Sequence, residues 1–112
     1  MKVNKPWGHE IRWAINDKYL GKILHISRGS KLSRQYHEIK DETIYVLNGV
    51  LILELGQDPI EKKILKEGES YRIKPNTIHR FMAPPDSYVN LVEVSTPEIN
   101  DVVRIEDDYG RS

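Results

Sequence analysis

The chain has 112 residues, no cysteine, 17 Lys plus Arg against 17 Asp plus Glu, and 31 residues of Ile, Val, Leu and Phe. This length accommodates one hydrophobic core and not two, so a single domain over residues 1–112 is expected. Zero net charge removes the electrostatic case for nucleic acid or an anionic membrane, the missing cysteines exclude disulfides and thiolate ligation, and no apolar run nears the ~20 residues of a membrane span.

Twenty-four β-branched residues against two alanines favour pleated sheet over helix, so the expected class is all-β. Residues 1–6 lead into Trp7 without the apolar core of a signal peptide, which makes a cytoplasmic location the expectation. Periodicity then marks strands at 10–15, 20–27, 32–38, 42–47, 50–55, 60–65, 70–73 and 88–95, with weaker ones near 77–82 and 102–105. Asn48-Gly49, lying between two apolar runs, predicts a tight β-hairpin. Further turns are expected at 56–59, 66–69 and 84–87. Short strands at this spacing suit a double-sheet jelly roll, which hides its edges and can hold a ligand inside.

Charge is divided along the chain. Residues 1–40 carry nine basic and three acidic side chains, and residues 41–112 carry eight and fourteen. Cross-strand ion pairs between the halves are the plain expectation, and a basic rim that collects an anionic ligand is the functional one.

The chemistry gathers in one stretch. Gln35 and His37 lie two apart on a predicted strand and so face the same way. Glu42 follows a short charged turn and can return to that face, and the turn Pro75-Asn76-Thr77-Ile78 can swing His79 over it. Such histidine and glutamate spacings are common by themselves. Here, however, Gly29, Gln35, His37, Glu42 and Gly49, followed by Gly68, Asn76 and His79, fit the two-part motif of the cupin superfamily, with Gln35 at the usual first histidine. The chain therefore resembles a cupin, which implies a double-stranded β-helix, or jelly-roll barrel. Lys5-Pro6-Trp7-Gly8, Leu32-Ser33-Arg34-Gln35-Tyr36-His37 and residues 101–111 narrow the resemblance to type II phosphomannose isomerase (mannose-6-phosphate isomerase) domains, over nearly the whole chain. Arg28, Arg34, Lys74 and Ala83 depart from the cupin pattern, and Arg34 and Lys74 are expected to alter the mouth of the pocket.

The resemblance implies a metal set of Gln35, His37, Glu42 and His79. Two imidazoles, a carboxylate and an amide oxygen suit one divalent transition metal, zinc first, with Mn, Fe, Co or Ni as alternatives. It also implies a sugar phosphate or nucleotide sugar as the small-molecule partner, and a homodimer. The expected reaction is aldose–ketose isomerisation, in which a protein base moves a proton between C1 and C2. Glu93, flanked by apolar residues, is the candidate base, though an ion pair with a cross-strand Lys or Arg is an equal expectation. Arg104 and Arg111 are the candidate phosphate ligands, with surface salt bridges an equal expectation for both; Arg80, beside His79, should point away from the site. A non-catalytic sugar-binding or regulatory cupin is the alternative function. An iron dioxygenase is a further one, disfavoured because Gln35 would occupy a position that dioxygen needs. His9 and His25 are expected to be structural or solvated, Trp7 and Trp13 to anchor a core or a dimer interface, and Lys62-Lys63 to lie on a solvated face.

Overall fold

The computed structural model describes residues 1–111, all in strands, turns and irregular segments. Eleven strands run in the order β1 (Lys2–Lys5), β2 (Gly8–Ile15), β3 (Leu20–Ile26), β4 (Arg34–Tyr36), β5 (Glu42–Asn48), β6 (Leu51–Leu55), β7 (Glu61–Leu65), β8 (Ser70–Ile73), β9 (His79–Met82), β10 (Val89–Ser95) and β11 (Val103–Glu106). They form a six-stranded sheet ordered β1-β2-β3-β10-β5-β8 and a five-stranded sheet ordered β11-β4-β9-β6-β7. Every strand pair is antiparallel. From β3 onward the chain passes back and forth between the sheets, which is the winding of a double-stranded β-helix.

The expected strands are present to within a few residues, and β1 is an addition. Its sequence, Lys-Val-Asn-Lys, offers almost no apolar alternation; it exists as a strand because it pairs along the edge of β2, Val3 opposite Glu10. Asn48-Gly49 corrects the hairpin expectation. A turn is there, with Gly49 at φ 85°, but β5 pairs with β10 and β8 while β6 pairs with β7 and β9. The turn therefore carries the chain from one sheet to the other. Gly49 is needed for its positive φ, and also because a Cβ there would come within 2.7 Å of the Tyr88 carbonyl oxygen.

Alternation decides what faces inward. Along β6 the leucines at 51, 53 and 55 are buried and the residues between them are not. The inner rows of the large sheet begin apolar, with Leu24, Ile26, Ile44, Val46, Val89 and Leu91 packed against Leu51, Leu53 and Phe81 of the facing sheet. Continuing along the same inward positions, β2, β3, β5 and β10 present Glu10, Arg12, Lys22, Glu42 and Glu93 instead. The barrel thus has an apolar floor and a charged upper half. Buried charge of this density is costly unless it is paired or serves a site.

On the outer surface of the large sheet Ile11, Ile23, Val92 and Tyr45 fall in one cross-strand row. Trp7 is core, as expected, but Trp13 is not. It is 54% exposed and lies flat over Gly21, whose missing side chain makes room for the indole. His9 and His25 stack at 4.8 Å between ring centres, away from the ligand cluster. Lys62 is exposed as expected, and Lys63 reaches over the Tyr71 ring. Ion pairs join the two halves, Arg34 with Glu54 (2.8 Å) and Glu106 (2.9 Å) and Lys31 with Asp108 (3.0 Å), and other basic groups line a cavity.

Candidate functional site

His37, Glu42 and His79 meet in the barrel interior, each at most 5% exposed, with one ligand atom from each within 4.8 Å of the others. His37 follows β4, Glu42 opens β5 and His79 opens β9, so three separate stretches supply the donors. Gln35 stands directly opposite His79 in the β4–β9 pairing and lines the same cavity. Its Oε1 accepts a hydrogen bond from Ser33 Oγ at 2.6 Å, which orients the carbonyl and leaves a lone pair. Asn76 adopts φ 65° in the turn before β9, the left-handed conformation expected of it, and its N–H donates to the His37 carbonyl oxygen at 2.6 Å. That bond ties the two halves of the motif together.

Hydrogen bonding fixes which nitrogens face the centre. His37 Nδ1 lies 2.5 Å from the Asp101 carbonyl oxygen, and His79 Nδ1 lies 2.9 Å from that of Thr77. A carbonyl oxygen only accepts, so both Nδ1 atoms carry the proton. In the neutral rings, both Nε2 atoms are then lone pairs. They face Glu42 Oε1, itself an acceptor, at 3.1 Å from His37 and 3.4 Å from His79. Among the described residues, His79 Nε2 is buried with no hydrogen-bond partner. A proton or a metal ion can fill the point where the three groups meet, and the donor types fit a borderline divalent metal. The residues present therefore suit the ion that the motif implies.

The electrostatics reinforce this. Burial would raise the Glu42 carboxyl, but hydrogen bonds from His37 and His79, which they donate when Nε2 carries a proton, and the Lys40 charge hold it well below the ordinary carboxylate range. It is an anion. Glu93 is buried on β10, as its apolar flanks predict, and Lys40 Nζ donates to its Oε2 at 2.9 Å. The same ammonium lies 3.5 Å from Glu42 Oε2. Both sequence expectations for Glu93 are met in part: it faces the cavity and it is ion-paired, though to Lys40 of the β4–β5 loop, while its cross-strand neighbour is Lys22. Burial and the charge of Glu42 push the Glu93 carboxyl up to about 7, against the pull of Lys40 and Lys22.

Above the floor opens a cavity of about 410 Å³, lined by Gln35, His37 and Glu42, by Glu93, Arg104 and Arg111, and by a group that composition did not single out: Lys5, Glu10, Arg12, Lys22 and Lys40. Six cations and three carboxylates face it. The first-half residues were missed because charged side chains on strands ordinarily face solvent, and only the barrel's closure turns these inward. Arg80 points away, as expected, and donates to the Leu32 carbonyl oxygen (2.7 Å) and to Asp108 (3.1 Å). Arg34 and Lys74 do not shape the mouth. Arg34 is buried on the opposite face of β4 from Gln35, held by Glu54 and Glu106, and Lys74 is exposed outside the cavity lining.

A double-stranded β-helix with its donors on β4, β5 and β9 and an inward cavity defines a cupin. More narrowly, the sequence profile described as "Mannose-6-phosphate isomerase C-terminal" matches residues 1–107, and the chain belongs to that family. It is 33% identical over 113 residues to the mannose-1-phosphate guanylyltransferase ManC of Salmonella typhimurium, a match that covers 98% of this chain and 23% of that protein. The chain thus spans about a quarter of the length of the curated relatives it matches. Among solved structures, KdgF from Halomonas sp. superposes with a TM-score of 0.78 at 20% identity, covering 90% of this chain and 89% of that one. A sugar phosphate isomerase of the cupin superfamily from Silicibacter pomeroyi superposes with a TM-score of 0.69 at 20% identity, covering 79% and 58%. At this identity the two structures speak to the fold.

Proposed function

We propose that this chain binds a phosphorylated sugar in the cavity, beside a divalent transition metal held by His37, Glu42, His79 and Gln35, and interconverts the sugar's aldose and ketose forms. The observation that carries the reading is the convergence of His37, Glu42 and His79 in the buried interior, one ligand atom from each within 4.8 Å of the others, with both Nδ1 atoms engaged by backbone carbonyls. Family membership supports the sugar-phosphate class, and the excess of cations over carboxylates in the lining suits an anionic ligand.

A divalent ion in this donor set supplies a Lewis acid for neighbouring carbonyl and hydroxyl oxygens. The remaining work falls to the chain. Glu93, inward on β10 and outside the donor set, would accept a proton from C2 and return it to C1. Lys40, bonded to Glu93 and close to Glu42, holds the two carboxylates apart and keeps both oriented. Arg104 and Arg111 reach the cavity from β11 and the segment after it and add to the positive field that an anionic ligand would meet. Trp7, Leu24, Leu32 and Phe81 close the floor against water.

The test is elemental analysis of the purified protein together with turnover of mannose 6-phosphate to fructose 6-phosphate. Conversion that is lost on chelation and restored by metal supports the proposal. Metal-loaded protein that binds mannose 6-phosphate without converting it would leave a sugar-binding cupin and end the isomerase reading.

A further inference from the structure

Lys5, Arg12 and Lys22 come from β1, β2 and β3 and line one wall of the cavity. Glu10 is the carboxylate common to all three, and Lys22 also lies beside Glu93. Arg12 Nε donates to Glu10 Oε1 at 2.8 Å, and Lys22 Nζ lies 3.6 Å from the same oxygen. Among the described residues, Lys5 has no carboxylate within ion-pair distance. Its ammonium is pushed below the usual lysine range by partial burial and by the charges of Arg12, Lys22 and Arg111, with Glu10 opposing them. Three cations gathered around one anion, on a wall open to a cavity, leave positive charge for a ligand to neutralise.

The C-terminal arginine at position 111 is differently placed. Its guanidinium is clamped by Asp107, through Nε at 2.9 Å and a terminal nitrogen at 3.1 Å, so its charge is already matched. Register adds a length. Lys22 lies opposite Glu93 and Arg12 lies opposite Lys22, so the three form one row across β10, β3 and β2. Two strand spacings, about 10 Å, separate the ends of that row. A six-carbon sugar with its carbonyl end at Glu93 and a phosphate on its far carbon spans such a row, whereas a phosphate on the anomeric carbon would fall beside Glu93 itself.

We infer that the phosphate subsite is the Lys5–Arg12–Lys22 wall. The inference rests on the reading of the cavity as a sugar-phosphate site. It is tested by calorimetric binding of mannose 6-phosphate, inorganic phosphate and mannose to the zinc-loaded full chain. Lys5→Gln removes a partly exposed cation with no ion-pair partner, so the fold should tolerate it; Lys22→Gln is the second variant, and zinc content is measured for each. The expected result is that both variants weaken mannose 6-phosphate and inorganic phosphate by roughly ten-fold or more, the scale of one lost charge-assisted hydrogen bond, with zinc content and mannose binding unchanged. Comparison variants are Arg104→Gln and the double change Asp107→Asn with Arg111→Gln, which removes the arginine together with its carboxylate. Loss of phosphate binding in these, with full binding in Lys5→Gln and Lys22→Gln, would overturn the subsite while leaving the sugar-phosphate reading intact. Wild-type protein that binds zinc but neither phosphorylated ligand would overturn that reading as well.

Discussion

Asp101 grips His37 and the turn that follows it with two different groups. Its main-chain oxygen accepts from His37 Nδ1 at 2.5 Å, while its carboxylate accepts the backbone N–H groups of Glu38 (3.2 Å), Ile39 (2.7 Å) and Lys40 (2.9 Å). One residue, sixty-four positions away in sequence, therefore sets an imidazole's tautomer and shapes the link between His37 and Glu42. Groups that orient a metal's ligands are typically worth about 10- to 100-fold in affinity. Asp101→Ala keeps the main-chain acceptor for His37 and removes only the carboxylate that shapes the turn, so metal binding should weaken by about 10-fold, the lower end of that range, and Asp101→Asn less, because its amide oxygen still accepts. Competition with a chromophoric chelator measures both.

Metal should stabilise the fold through the unsatisfied centre. His79 Nε2 is buried with no hydrogen bond, and an ion that binds only the folded chain adds about 2.7 kcal/mol when present at about 100 times its Kd. Thermal unfolding should therefore shift upward with zinc and return on chelation. His79→Ala should abolish the shift. A shift that survives this change would place the ion elsewhere.

The Arg34–Glu54 pair should prove structural. Arg34 is 4% exposed, is bonded to Glu54 at 2.8 Å and does not line the cavity. Removing one partner of a buried pair strands the other charge, at about 3–5 kcal/mol. Glu106 still reaches Arg34, so Glu54→Ala should cost about 3 kcal/mol, the lower end of that range. Urea unfolding reads the loss, and metal affinity should stay as it is.

Acid should weaken the wall of the first three strands. Burial would raise the Glu10 carboxyl, but Lys22, the hydrogen bond from Arg12, and Lys5 together hold it below its usual value. A carboxyl depressed in the folded state contributes stability above its unfolded pKa and loses it as pH falls through the folded one. Glu10→Gln should accordingly flatten part of the drop in urea midpoint between neutral and acid pH. An unchanged drop would show that the contribution comes from other carboxylates.

The ligand cluster was legible because motif spacing survives in a single sequence. Gln35 and His37 share a face by strand alternation, and the glycine and asparagine positions around Glu42 and His79 mark the turns that bring them together. Asp101 was not legible. Nothing local distinguishes it from any other surface aspartate, and its role exists only where the segment after β10 crosses the β4–β5 turn. Asn48-Gly49 shows the same limit from the other side. The dipeptide specifies a tight turn, but whether the flanking strands pair with each other or part into separate sheets depends on which neighbours offer free edges.

Composition and periodicity are local properties, and they sufficed for an all-strand chain, its turns, the shared face of Gln35 and His37 and the kinds of donor present. Closure of the two sheets over each other decided the rest: the charged row of Arg12, Lys22 and Glu93 turned inward, Lys40 set between two carboxylates, and two imidazole lone pairs facing a third acceptor. These are long-range electrostatic and hydrogen-bonding relations among residues far apart in the chain. Their energies appear only when burial removes the water that would otherwise screen each group from the others.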